Sequence, residues 1–213
     1  MNDILPNLIV LAVLALIGAG IFLLVRHKQA ENDQEITRMA AEHGWTYEPI
    51  HEPLAWGLRL KSPEWILEAV SRSSGQESGP GSSDVAMSTT WHADAPGSTW
   101  LIGGRTSQAN LGGFGDRLTR QVLQHALGAQ AGGLSEIQAG SEPFRRKYML
   151  WAQDPAQAEK ILSPTLESTL LAWNGQPPLI KRSSSGLTIE LRGVRLKKTA
   201  DILMLVRLGE LFN

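Results

Sequence analysis

Between Leu5 and Val25 the chain reads LPNLIVLAVLALIGAGIFLLV, without a charged residue, and Arg26-His27-Lys28 follows at once. A helix rises about 1.5 Å per residue, so roughly 20 apolar residues match a ~30 Å hydrocarbon core. A helix that is apolar all round has no face to turn to water, and core helices of this length rarely look like that. A cleaved signal peptide needs a basic start and a small-x-small cleavage site. Here the first residues are Met1-Asn2-Asp3, and Ile21–Val25 carry the apolar run past Gly18 and Gly20. The run is therefore expected to be a transmembrane anchor over residues 1–28. Arg26 and Lys28 flank its C-terminal end and the N-terminal flank has no Lys or Arg. The positive-inside rule then places the N-terminus outside and the following domain in the cytoplasm, as a single-pass protein of the inner membrane.

The chain has 213 residues and no cysteine. Disulfides, thiolate nucleophiles and Cys-ligated zinc or iron–sulfur centres are excluded. Net charge is −1, unevenly spread: residues 1–142 hold 9 Lys and Arg against 15 Asp and Glu, whereas residues 143–213 hold 11 against 6. Such asymmetry points either to an electrostatic partner for the C-terminal part or to charges on different faces of one fold.

After the anchor, Ile36, Met39, Ala40 and His43 fall on one helical face, giving a juxtamembrane helix over 29–44 that Gly44 stops. No proline separates it from the anchor, so the two are expected to be continuous. Trp56–Lys61 and Trp65–Arg72 flank Ser62-Pro63-Glu64, a hairpin pattern. Ser73–Ser83 is a Gly/Ser-rich loop. Val85–His92 and Ser98–Arg105 read as a second hairpin, so 45–128 is expected to be a strand-rich first subdomain built as an antiparallel meander. Asp116 caps a helix burying Leu118, Val122, Leu123, Ala126 and Leu127, and Ala129–Glu142 is a small-residue loop. A second subdomain over 143–213 has the order β-α-α-β-β-α: a strand Tyr148–Ala152, helices near 155–162 and 164–173 started by Asp154-Pro155 and Ser163-Pro164, strands near Pro178–Arg182 and Gly186–Leu196 with Gly193 at a bulge, and a last helix Ala200–Phe212 capped by Thr199. The fold class is α+β: an N-terminal transmembrane helix followed by an antiparallel-sheet domain with packed helices.

Catalytic signatures are missing. There is no GxxxxGK[ST], no GxSxG and no HExxH. The five histidines are scattered, but His51 beside Glu52 and His92 beside Asp94 could meet through strand pairing and hold a metal ion. Gly103-Gly104-Arg105 and Gly112-Gly113-Phe114-Gly115-Asp116 could bind an anion at a helix start with Arg105 or Arg117, although Asp116 would repel it. Seven tryptophans, at 45, 56, 65, 91, 100, 151 and 173, suit the core of a sheet better than a stacking platform for nucleic acid, because they lack interleaved basic residues.

Basic groups remain: Arg26 and Lys28 beside the anchor, then Arg145-Arg146-Lys147, Lys181-Arg182, Arg192, Arg195 and Lys197-Lys198. A tethered domain lies near anionic headgroups, where each Lys or Arg near the surface contributes about 1 kcal/mol. Arg26, Lys28, Arg145, Arg146, Lys147, Lys197 and Lys198 are accordingly the candidate contacts to the bilayer surface, its anionic lipid headgroups or an acidic membrane-protein partner. No nucleic acid and no cofactor is expected.

The layout resembles uncharacterised bacterial single-pass membrane-anchored proteins. The cues are Ala40-Ala41-Glu42-His43-Gly44-Trp45-Thr46-Tyr47, Thr90-Trp91, the Tyr148–Ala152 strand with Asp154 and Ala158–Leu162, the Leu187–Leu191 strand and Leu205-Val206-Arg207-Leu208-Gly209. The resemblance implies a shared fold and anchoring but no catalytic set. The expected function is a non-enzymatic binding or scaffold domain, an accessory or assembly component of a membrane complex. The alternative is a membrane-tethered hydrolase or metal-dependent enzyme built on His51, His92, Glu52 and Asp94.

Overall fold

A computed structural model describes residues 4–75, 85–105, 133–154, 156 and 160–212. The chain forms two units, Met1–Gly44 and Trp45–Asn213. The first is one unbroken helix, α1 (Ile4–Glu42), so the apolar run and the charged segment after it are continuous, as the absence of an intervening proline implies. Ile36, Met39 and Ala40 are buried and His43 is exposed. The His43 ring donates from Nδ1 to the Met39 carbonyl at 2.9 Å, and Gly44, at φ 70°, ends the helix in a conformation that costs glycine little.

The anchor expected over residues 1–28 is overturned: among the described residues no helix is long and apolar enough to cross a membrane. Leu5–Val25 has no end of its own at Arg26. It is the first part of a 39-residue helix that continues through Lys28, Glu31, Asp33, Glu35 and Arg38, so its local composition does not make it a separate element. The single-pass inner-membrane placement, with the N-terminus outside and the domain in the cytoplasm, rests on that anchor and falls with it. The same holds for the α+β class with a transmembrane helix. In its place stands a nine-stranded antiparallel sheet with few helices.

The strands are β1 (Thr46–Glu52), β2 (Ala55–Lys61), β3 (Trp65–Ser73), β4 (Val85–Ala93), β5 (Trp100–Gly104), β6 (Ser135–Ile137), β7 (Tyr148–Ala152), β8 (Leu179–Ser183) and β9 (Gly186–Arg192), in the order β1-β2-β3-β4-β9-β8-β5-β7-β6. The helices are α2 (Glu142–Lys147), α3 (Pro164–Ala172) and α4 (Thr199–Glu210). The first four strands form an antiparallel meander that keeps three of the expected strands, β2, β3 and β4, but begins with β1 and leaves out β5, and Ser62-Pro63-Glu64 closes β2 on β3 through the Ser62 amide and the Trp65 carbonyl at 2.9 Å. The second expected hairpin does not form. β4 and β5 are both strands, but β9 and β8 lie between them, so β4 pairs with β9 and β5 pairs with β8 and β7. Thr46–Glu52, Ser135–Ile137 and Glu142–Lys147 are elements that the periodicity does not announce. The helix expected from Asp116 to Leu127 and the Gly/Ser-rich stretch 76–84 lie outside the described residues, as does part of the helix near 155–162.

The register separates two faces. Leu58, Leu60, Leu67, Ala69, Trp91, Ile189, Ile180, Ile102 and Leu150 share one side, all buried. The helices bring apolar residues to this core. Phe144 of α2 stacks on Tyr148 at 5.3 Å between ring centroids, and the Tyr148 hydroxyl donates to the Leu170 carbonyl of α3 at 2.8 Å. Gly209 of α4 lies so close to Trp91 that an added Cβ would be 2.5 Å from the indole ring. Five of the seven tryptophans (65, 91, 100, 151 and 173) are buried, in line with large rings filling the core of a sheet.

Candidate functional site

The opposite face differs from end to end. One row crosses the sheet from β2 to β6 as Lys61, Ile66, His92, Thr188, Lys181, Leu101, Trp151 and Glu136. Leu101 and Trp151 are buried, with Leu134, Met149 and Leu179 packed against them. Towards β1 the row turns polar. Here strand alternation places Glu48, Arg59, Glu68, Thr90 and Glu190 side by side in the next row, which carries charges of both signs.

Cross-strand neighbours on one face are about 5 Å apart, close enough for opposite charges to pair. Arg59 donates from Nε to Glu68 at 2.6 Å and lies 3.4 Å from Glu48, which accepts from Lys61 Nζ at 2.6 Å. The hydrogen bond from Lys61 is the main reason the Glu48 carboxyl lies below its usual range. The hydrogen bond to Glu68 is the main reason Arg59 holds its proton still more firmly. These four side chains are 33–40% exposed. Further along, Arg192 forms a forked pair with Glu190 at 3.0 and 3.3 Å, and His92 Nδ1 lies 3.2 Å from the Thr188 hydroxyl. Amid them Ile66, between Lys61 and His92 in the register, is 40% exposed. The arrangement is an exposed apolar side chain at the turn end of β3, with ordered polar groups on both neighbouring strands and in the next row. Because the pairs are internally satisfied, the ladder is held in place before anything approaches it.

Of the residues expected to contact a membrane surface or partner, those within the second unit do not gather in one place. Arg26 and Lys28 are exposed on α1. Arg145 donates to the Gly140 carbonyl, Arg146 pairs with Glu142, and Lys147 reaches the carbonyls of Leu170, Leu171 and Trp173 at 3.4, 3.1 and 2.7 Å. Lys147 is thus a cap for the C-terminal end of α3, where unpaired carbonyls and the helix dipole favour a cation. Lys197 and Lys198 are exposed just before α4, after Leu196, whose amide donates to Thr89 of β4 at 2.9 Å. The Lys147 end of α2 runs into β7, four strands from β4 and so about 19 Å away.

His51 and His92 do not converge. His51 pairs with Trp56 on the core side of β1, and His92 lies on the other face of β4, three strands and so at least ~14 Å away. Metal–ligand bonds of ~2 Å cannot span that gap. Among the described residues no group of three or more His, Asp or Glu could hold a metal ion. Gly103 and Gly104 end β5 rather than opening a helix: a Cβ on Gly104 would be 2.6 Å from the Pro177 ring, so close packing accounts for it. Arg105 is tied to the Arg145 carbonyl at 3.1 Å and to Glu136 at 2.5 Å. Residues 112–116 and Arg117 lie outside the described residues.

Comparison with protein-family models, with curated proteins and with solved structures finds no match for this chain.

Proposed function

We propose that this chain is a non-enzymatic binding module that holds a partner protein against the polar face of β1–β4 and β9. The observation that carries this reading is Ile66, exposed at the turn end of β3 between Lys61 and His92 and bordered on its inner side by the Glu48–Arg59–Glu68 row. Protein interfaces combine an apolar centre that loses its water with a polar rim that fixes orientation. A ladder already paired within the domain loses little side-chain freedom on contact, which lowers the entropic cost of association. The partner presents a complementary surface: an apolar cleft for Ile66, flanked by groups of both charges.

The test is affinity capture with the tagged full-length chain, beside Ile66→Asp and Arg59→Glu. A carboxylate at position 66 would enter the apolar cleft unpaired, and the reversed charge at position 59 would oppose Glu48 and Glu68. The expected result is one stoichiometric protein retained by the wild type, lost with both variants and kept by Arg207→Glu, a change on the exposed side of α4. Capture that ignores positions 59 and 66 would overturn the proposal, as would the absence of any stoichiometric protein.

A further inference from the structure

We propose that Pro49 closes the β1 edge of the sheet against a second copy of this chain, and that removing it lets two sheets join through β1. Among the described residues β1 is the last strand at its end of the sheet, and it runs for seven residues, Thr46–Glu52. An edge strand of that length carries a row of backbone donors and acceptors with which another strand can pair. Which of them face outward follows from two bonds one strand further in. The Ser73 amide donates to the Leu54 carbonyl at 2.8 Å, and the Ser62 amide to the Trp65 carbonyl at 2.9 Å. Even-numbered residues along β2 therefore turn their backbone groups to β3. In an antiparallel ladder each residue turns its N–H and C=O to the same neighbour, and the next residue turns both the other way. Ala55, Gly57, Arg59 and Lys61 thus face β1, where the register gives them Glu52, Ile50, Glu48 and Thr46. The backbone groups of Tyr47, Pro49 and His51 lie on the outer edge.

Proline has no N–H, so it costs the ladder nothing at an outward position and one bond at an inward one. One residue earlier or later, at Glu48 or Ile50, it would unpair β1 from β2. At position 49 it removes the middle donor of the outer edge, and its ring occupies the space where a partner's carbonyl would sit. Pro49 and His51 are both exposed, so a strand can approach this edge. A second copy is the occupant that the edge otherwise suits. Two β1 strands, antiparallel about a two-fold axis through position 49, set Tyr47 against His51, Thr46 against Glu52 and Glu48 against Ile50 of the other copy. No like charges stand directly opposite in that register. The pair that fails is the central one, Pro49 against Pro49, where both of the hydrogen bonds such a pair exchanges are missing. The proline thus sits where it leaves β1 paired to β2 and blocks the continuation of the sheet.

The test is self-association of the full-length chain, compared with Pro49→Val and with the double variant Pro49→Val/His51→Pro. Valine suits a strand and supplies the missing donor. The double variant moves the proline to the next outward position. Sedimentation over a range of concentrations reads association, and backbone amide exchange at positions 49 and 51 reads where it occurs. Pro49→Val is expected to associate at least about tenfold more tightly than the wild type, the effect of restoring the two central hydrogen bonds. Exchange at both positions should slow as its concentration rises. The double variant is expected to return to the wild-type mass. Ile50→Pro, at an inward position, should instead lower the urea midpoint. The proposal is overturned if Pro49→Val associates no more than the wild type, if it associates without slower exchange at position 51, or if the double variant associates as tightly. A Pro49→Val chain that fails to fold would also overturn it, since an outward position accepts any good strand former.

Discussion

At the scale of single residues, Gly209 and Tyr148 carry the sharpest consequences. Trp91 is fully buried, so its ring cannot retreat from a methyl group placed 2.5 Å away. Glycine to alanine inside a helix normally gains up to about 1 kcal/mol, but overpacking a closed core costs about 1–3 kcal/mol. Gly209→Ala is therefore expected to destabilise the domain, seen as a lower urea midpoint at unchanged slope. Burial pushes the Tyr148 hydroxyl up to about 12. An unfolded tyrosine ionises near ~10, so the raised value stabilises the fold fully below that pH. The contribution is lost as pH rises from about 10 to about 12, and amounts to about 2–3 kcal/mol. Urea titrations at about pH 9 and about pH 12 should show Tyr148→Phe losing less stability than the wild type across that interval. Glu48 behaves in the opposite sense. Its lowered carboxyl pKa favours the folded ladder above the usual carboxylate range, and that contribution is lost as pH falls through the lowered value.

At the scale of elements, α3 shows what a short sequence signal can and cannot say. Ser163-Pro164 marks its start, and the Ser163 hydroxyl does accept from the Leu166 amide at 3.2 Å. Its other end depends on Lys147, far away in the chain, and so is invisible to a local reading. Arg145-Arg146-Lys147 looks like a free basic patch in the sequence, because nothing there says that α3 will end beside it. Lys147→Met keeps the stem and removes the charge from three carbonyls, with an expected cost of about 1–2 kcal/mol. Arg146→Ala breaks an exposed pair with Glu142 and should cost at most about 0.5 kcal/mol. Urea midpoints of the two variants, measured side by side, check the contrast. Strand pairing shows the same division. The β2–β3 turn is legible because proline and its neighbours make a local turn. The insertion of β8 and β9 between β4 and β5 is not, because it is decided by distant partners. The two-residue turn from Ser183 to Gly186 closes β8 on β9 with Gly186 at φ 119°, where a Cβ would be 2.5 Å from the Ala93 carbonyl oxygen. Gly186→Ala is thus expected to strain both the turn and the β4 edge of that pairing.

At the scale of the whole sheet, function follows from sidedness. Alternation in Trp65–Ser73 shows that two sets of side chains exist, but not which neighbours each will have. Ile66 stands out only when register puts it between Lys61 and His92 on the polar face. The apolar run of α1 dominates the sequence for the opposite reason. It is conspicuous locally, yet it belongs to a longer helix with a charged second part, and among the described residues no helix meets the requirements of a membrane span. The candidate histidines fail by the same geometry, since proximity to carboxylates in the chain does not carry His51 and His92 onto one face. Binding through the polar face makes position 66 the most direct probe. A benzophenone amino acid placed there, with a second placement at position 207 as control, is irradiated in cells producing the full-length chain. One discrete crosslinked protein from position 66, absent from position 207 and lost when Arg59→Glu is added, is the expected result. Crosslinks equal at both positions, or none from position 66, would contradict a partner seated on this face.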